Sequence, residues 1–368
     1  MKIELDHEKL LYSGRIDDRN PKRPELIFPA SSLTFRFRGI GASVVISNRK
    51  GCWDNYLGII VDGQQRKVLL PESGSTRICL AQGLEDKPHE VMIFKRQDSC
   101  HELILEELVL EEGGKLLDPP AKPHRRIEVY GDSVSAGEVS EAVEFAGKPD
   151  PEHNGEYSNS WYSYSWMTAR MLNAQIHDVA QGGIALLDGT GWFCDPYFMG
   201  METAWDKVHY NPALSEATSW DFSRYRPHVV IVAIGQNDSH PKDYMKEDFH
   251  GEKAEAWRRV YAEWIGKIRK VYPRAAIILT TTILCHDSAW DRAIHQVWKK
   301  LKDERIYHFL YSRNGSGTPG HIRIPEAEKM AQELSAFIRT LPEEIWEDEP
   351  VDTSNNKGRS VYEEKEAV

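Results

Sequence analysis

A chain of 368 residues with 40% hydrophobic and 28% charged side chains has the apolar content for real cores and the length for two domains. Its formal net charge of −11 has the wrong sign for neutralising phosphate, which excludes nucleic acid and anionic membrane as expected partners. Five scattered cysteines without a CxxC pair specify neither a disulfide framework nor a zinc site.

Residues 1–7 lack the apolar run of a signal peptide, and no window of 18 uncharged apolar residues follows, so a cytoplasmic location is expected. Period-two alternation predicts strands at 33–38 and 43–47, separated by Gly39 and Gly41. The runs 57–61 and 66–70 flank Asp62-Gly63, a hairpin signal. Further strands are expected at 75–80, 90–95 and 102–110. Short, evenly spaced strands without a long helix imply an all-β jelly-roll sandwich over residues 1–118.

Three prolines in residues 119–123 mark a stiff boundary. Beyond it, buried-strand runs at 127–130, 175–179, 229–234 and 276–280 alternate with helical stretches near 161–172, 254–271 and 325–341. This order predicts an α/β/α domain over 119–342, with a flavodoxin-like parallel sheet whose ligand site lies at the C-terminal strand ends. Residues 343–368 hold nine acidic against three basic side chains and read as a solvated, flexible tail.

Candidate chemistry sits where strands of the second domain end. Gly131-Asp132-Ser133 follows the first, Gln181-Gly182-Gly183 the second and Gly235-Gln236-Asn237-Asp238 the third, and Gly317-Thr318-Pro319-Gly320-His321 opens the last helix. Acyl transfer needs a hydroxyl, a base and donors for an oxyanion. Ser133 at a strand-to-helix turn supplies the first and His321 the second. The backbone N–H groups of Ser133 and Gly183 and the Asn237 amide supply the donors, with Gly182 as an alternative because the paired glycines leave the register open by one. Asp132 reads as structural. Trp192 and Asp238 are candidate substrate contacts, although Asp238 equally suits tying down its loop, and Phe193, Tyr197, Phe198, Trp53 and Tyr56 suit either a sugar platform or packing. His286 and His295 lie near Asp287 and Asp291 without metal-ligand spacing, so no metal and no cofactor are expected.

These blocks resemble the SGNH (GDSL-type) hydrolase superfamily. With Tyr12-Ser13-Gly14-Arg15 and Phe94-Lys95-Arg96 in the sandwich ahead of them, the chain is similar over about residues 8–340 to carbohydrate esterase family 2. The resemblance implies an SGNH fold for the second domain, Ser133 as nucleophile, His321 as base, and Gly183 and Asn237 as oxyanion donors. It also implies removal of O-acetyl groups from acetylated xylo-oligosaccharides or related carbohydrates through an acyl-enzyme. The alternatives are a short-chain carboxylesterase of the same type and a catalytically inert carbohydrate-binding protein; self-association is left open. Many superfamily members place an aspartate three residues before the histidine, where this chain has Thr318. The carbonyl of Thr318, Pro319 or Gly320 is then the expected partner of His321 Nδ1, with Asp287 or Asp291 as further candidates.

Overall fold

The alternating runs of the first third build two antiparallel sheets in the computed structural model, which describes residues 1–348. One sheet orders Ile16–Asp17, Glu25–Leu26, His101–Leu110, Ala42–Lys50 and Ser75–Ala81, with Lys2–Ile3 beside His101–Leu110. The other orders Lys115–Leu117, Ser32–Gly39, Lys87–Lys95, Tyr56–Val61 and Gln64–Leu69, with Leu11–Ser13 beside Ser32–Gly39. Leu33, Phe35 and Phe37 face inward opposite Ile93, Val91 and His89, and meet Val44, Ile46, Leu103 and Leu105 of the facing sheet in one core. Each such side chain contributes about 1.5–3 kcal/mol on burial. Asp62 and Gly63 both adopt positive φ (48° and 82°), the twist that a two-residue hairpin requires.

The second domain is built on a five-stranded parallel sheet in the order Ala174–Ala180, Arg125–Gly131, Val229–Ala233, Ala276–Thr280, Ile306–His308. Ile127, Val129, Val229 and Ile231 face the helices Tyr164–Met171 and Ile324–Arg339. Tyr130, Val230 and Val232 face the helices Glu252–Val271 and Ser288–Leu301. Glu252–Val271 is helical because Ala254, Trp257, Tyr261, Trp264, Ile265 and Ile268 form one buried stripe, with acidic residues in the first turn and Arg269 and Lys270 in the last. Chain order reverses between Arg125–Gly131 and Val229–Ala233, and this switch point opens the ligand crevice. The strand Ile306–His308, too short to show alternation, and the helix Ser288–Leu301 add to the expected elements.

The sandwich is fused to the parallel sheet rather than hung from it. Ile27 and Phe28 join one core of the second domain, and Ala30 and Phe94 join the other. Arg15, fully buried, donates to the carbonyls of Trp205 (2.7 Å) and Lys207 (2.9 Å) and pairs with Glu128 at 3.2 Å. His209 is held between Asp17 (2.9 Å) and Glu102 (3.0 Å) of the sandwich.

The acidic stretch begins differently from expectation. Glu343–Trp346 forms a 3-10 turn whose Ile345 and Trp346 are buried, with the Arg125 guanidinium 4.7 Å from the Trp346 ring centroid. This apolar pair draws the chain past 342 onto the domain, and residues 349–368 of the expected tail lie outside the described residues. Among the described residues no helix is long and apolar enough to cross a membrane.

Candidate active site

The strand Arg125–Gly131 turns directly into the short helix Ser133–Ala136, which Asp132 caps by accepting from Val134 N–H at 3.0 Å. Asp132 also accepts from the side-chain amides of Gln236 and Asn237, and burial pushes its carboxyl up to about 6. As the first N–H of that helix, Ser133 N–H has no intrahelical acceptor and none elsewhere among the described residues. Ser133 lies on a cavity of about 630 Å³ shared with Gly182, Gly183, Asn237 and His321. No hydrogen bond joins its hydroxyl to His321, whose ring Nδ1 is engaged elsewhere.

At the paired glycines, Asp98 of the sandwich engages one N–H and leaves the other free. Gly182 N–H donates to Asp98 Oδ2 at 2.6 Å, whereas Gly183 N–H has no acceptor among the described residues. Gly183 has φ +73°, and a Cβ there would meet Trp192 Cβ at 2.8 Å, so a side chain is excluded twice over. Asn237 reaches the same wall, but its amide donates to Ile184 O at 3.0 Å and to Asp132 Oδ2 at 3.3 Å. Serving an oxyanion requires it to give up one of these bonds.

His321 is not oriented as expected. Neither the carbonyls of Thr318, Pro319 and Gly320 nor Asp287 or Asp291 accept from Nδ1. The partner is Asp150, whose Oδ2 lies 2.6 Å from Nδ1. Asp150 Oδ1 accepts from His321 N–H (2.9 Å) and from the fully buried Arg323 (2.8 Å), which fixes the carboxylate on both oxygens. Burial acts against its charge, yet His321 and Arg323 hold the carboxyl well below the usual carboxylate range. Gly320 permits the approach, since a Cβ there would stand 2.6 Å from Asp150 Oδ1 and 2.8 Å from Lys148 O. The carboxylate can only accept, so Nδ1 carries the proton and Nε2 of the neutral ring is free to take another. Asp287 instead caps Ser288–Leu301, and Asp291 bonds Thr281 and His286.

Sequence reasoning also missed Glu138, on the same cavity, with Oε2 3.8 Å from His321 Nε2. Burial and the neighbouring carboxylates push Glu138 up to about 7. Burial disfavours the His321 imidazolium, but Glu138 and Asp150 outweigh it and the net shift is upward. No motif spacing marks Asp98, Glu138 or Asp150; the Pro-Asp-Pro around Asp150 signals only a turn.

Trp192 is 60% exposed on the cavity wall and stacks on His240 with centroids 3.4 Å apart. Trp53 of the sandwich stands on the same wall, stacked on His153 at 5.3 Å. Tyr56 instead packs beneath Lys67, and Phe193 is buried beside Tyr210. Asp238, expected as a substrate contact, is wholly buried off the cavity wall. It accepts from the N–H groups of Leu186 (2.8 Å) and Leu187 (3.2 Å) and so ties down the loop after Gly183. Two clusters with metal-ligand types, Glu25, Glu102 and His209 and then His124, His228 and Asp348, lie off this cavity. Arg49 and Arg126 already supply their positive charge.

Residues 12–120 match the family model described as the N-terminal domain of carbohydrate esterase 2. The cellulase/esterase CelE of Acetivibrio thermocellus is 28% identical over 345 residues, which is 91% of this chain and 40% of CelE, so the chain spans well under half of that relative. The acetylxylan esterase / glucomannan deacetylase of Cellvibrio japonicus is 26% identical over 327 residues, 84% of this chain and 85% of that protein. In structure, a family two carbohydrate esterase from Clostridium thermocellum in complex with cellohexaose matches with TM-score 0.75 and 26% identity, covering 90% of this chain and 98% of that one. A sandwich that fits the family's own N-terminal model, fused to a parallel-sheet domain with which it superposes as one unit on a solved family two esterase, makes this chain similar to carbohydrate esterase family 2 across both domains.

Proposed function

We propose that this chain is a serine carboxylic ester hydrolase that removes O-acetyl groups from acetylated xylo-oligosaccharides or related carbohydrates. Ser133 Oγ attacks the acetyl carbonyl while His321 Nε2 takes its proton and returns it to the departing sugar hydroxyl. Water then repeats the attack on the acyl-enzyme with His321 again as base. The negative oxygen is received by the N–H groups of Ser133 and Gly183, with the Asn237 amide turning from Ile184 O to join them. A donor of this kind is worth about 2.7–4 kcal/mol of barrier.

The observation that carries the reading is the Asp150 to His321 Nδ1 hydrogen bond of 2.6 Å, which aims an unprotonated Nε2 at the cavity holding Ser133 and the two unbonded N–H groups. The carbohydrate substrate is supported by the relatives, one described as an acetylxylan esterase / glucomannan deacetylase and another solved with cellohexaose. Trp192 and Trp53, one from each domain, offer flat aromatic faces to a sugar ring along the cavity wall.

The test compares wild type with Ser133→Ala on nitrophenyl acetate and on acetylated xylo-oligosaccharides. Wild type is expected to release acetate from both, and Ser133→Ala to lose at least a thousandfold in kcat. Equal rates for the two proteins would refute the mechanism. Faster turnover of longer acyl chains, with no acetate from the oligosaccharides, would assign a general short-chain carboxylesterase instead.

A further inference from the structure

Two thiols on the sandwich side of the cavity have no part in this chemistry. The pairing of Ala42–Lys50 with His101–Leu110 closes at Lys50 opposite His101. Immediately beyond, the N–H groups of Gly51 and Cys52 both donate to the Cys100 carbonyl, at 2.8 and 3.0 Å. This two-against-one bulge sets Cys52 and Cys100 side by side across the strand pair. A disulfide needs Cα atoms about 4.4–6.8 Å apart, and residues opposed across an antiparallel strand pair stand about 4.5–5.5 Å apart. Both are free thiols on the cavity wall, Cys52 exposed and Cys100 4% exposed.

The pair is connected to the proposed oxyanion site by one side chain. Cys100 N–H donates to Asp98 Oδ1 at 2.9 Å, and Asp98 Oδ2 accepts from Gly182 N–H at 2.6 Å, one residue before Gly183. Lys95, fully buried beneath, donates to the carbonyls of Gln97 (2.8 Å) and Asp98. Movement of Cys100 therefore reaches the Gly182–Gly183 turn through Asp98.

We propose that Cys52 and Cys100 form a reversible disulfide, and that closing it slows the esterase by displacing Asp98 and the glycine turn. The effect on rate rests on the esterase reading; the bond itself does not. The oxidant is a low-molecular-weight disulfide. The Cys52 thiolate attacks one of its sulfurs and expels a thiolate, and Cys100 then attacks the Cys52 sulfur of the mixed disulfide and expels the second. Two protein thiols and one small disulfide become one protein disulfide and two small thiols, which carry off both protons and both electrons. Exposure makes Cys52 the sulfur that meets the oxidant, while burial pushes the Cys100 thiol up and keeps it protonated until the mixed disulfide is beside it.

The experiment equilibrates the full chain across oxidised-to-reduced glutathione ratios, maps disulfides in non-reduced digests, and follows nitrophenyl acetate hydrolysis. A Cys52–Cys100 linked peptide is expected, together with an oxidised-to-reduced rate ratio of one fifth or less, restored by dithiothreitol. Cys52→Ser should bring that ratio to one, and Cys194→Ser should leave it as in wild type. Mapping that finds Cys52 joined to Cys194, or only glutathionylated, overturns the pairing, and a Cys52–Cys100 link with an unchanged rate overturns the switch. If reduced wild type hydrolyses nothing, the esterase reading fails while the mapping still judges the pair.

Discussion

Replacing Asp150 with asparagine probes the site through a proton rather than through bulk. Asp150 Oδ1 receives two donors, His321 N–H at 2.9 Å and Arg323 at 2.8 Å, so in Asp150→Asn the amide oxygen must occupy that position. The amide nitrogen is then forced to the Oδ2 position, 2.6 Å from His321 Nδ1 in the wild type. Two donors cannot face each other, so Nδ1 gives up its proton and the neutral ring carries it on Nε2, where it can no longer accept from Ser133. In serine proteases the corresponding change lowers kcat about 10⁴-fold, equivalent to about 5 kcal/mol of barrier. A loss of 10³- to 10⁴-fold in kcat on nitrophenyl acetate is expected, with KM changed less than threefold because Asp150 is not on the cavity wall. Asp150→Ala is a poorer probe, since it also strips an ion-pair partner from the fully buried Arg323. A thermal melt within a few degrees of wild type confirms that the Asp150→Asn fold is kept. Retention of more than a tenth of wild-type kcat would refute the orienting role.

Gly183→Ala forces a Cβ into a left-handed backbone position 2.8 Å from Trp192 Cβ, and should cut kcat at least a hundredfold as the N–H swings from the oxyanion; unaltered kcat would place that donor elsewhere. Glu138→Gln removes the charge 3.8 Å from His321 Nε2 that favours the imidazolium. Because His321 must be neutral to act as base, the acid limb of the kcat/KM profile should move to lower pH, and a limb that stays or rises would contradict the assignment. His209 meets a carboxylate at each ring nitrogen; burial opposes its charge, but Glu102 and Asp17 outweigh it and raise its pKa above 6.5. Its contribution to stability is complete below about pH 6.5 and is lost as pH rises through the folded-state value, so His209→Gln should lower Tm more at pH 6 than at pH 9. Equal losses at the two pH values would mean that the imidazolium does not join the domains.

What could be read from sequence was local. The strands at 33–38 and 57–61 announce themselves by alternation because one face of each is buried, and Asp62-Gly63 announces its hairpin because both residues must take positive φ. Ser133 and Gly183 are legible for a related reason: each sits within four residues of a buried parallel strand, whose apolar run delivers it to the sheet's C-terminal edge. His321 is legible as the imidazole just ahead of the last helix. Charge and composition likewise marked 343–368 as polar, but the averaged acidity hid Ile345 and Trp346, whose burial extends the domain.

Tertiary structure decided the rest, because those contacts join segments with no common period or spacing. Asp150 meets His321 across 171 positions, brought there by a loop that closes over Gly320, and Asp98 chooses between Gly182 and Gly183 from another domain altogether. Asn237 and Asp238 are neighbours in sequence, yet one reaches the cavity and the other is buried off it, since the 3-10 turn Asn237–Ser239 carries successive side chains about a third of a turn apart. Local periodicity and turn chemistry report which groups reach a strand end. Which of them face one another is settled only when the packed cores of both domains hold the loops in place.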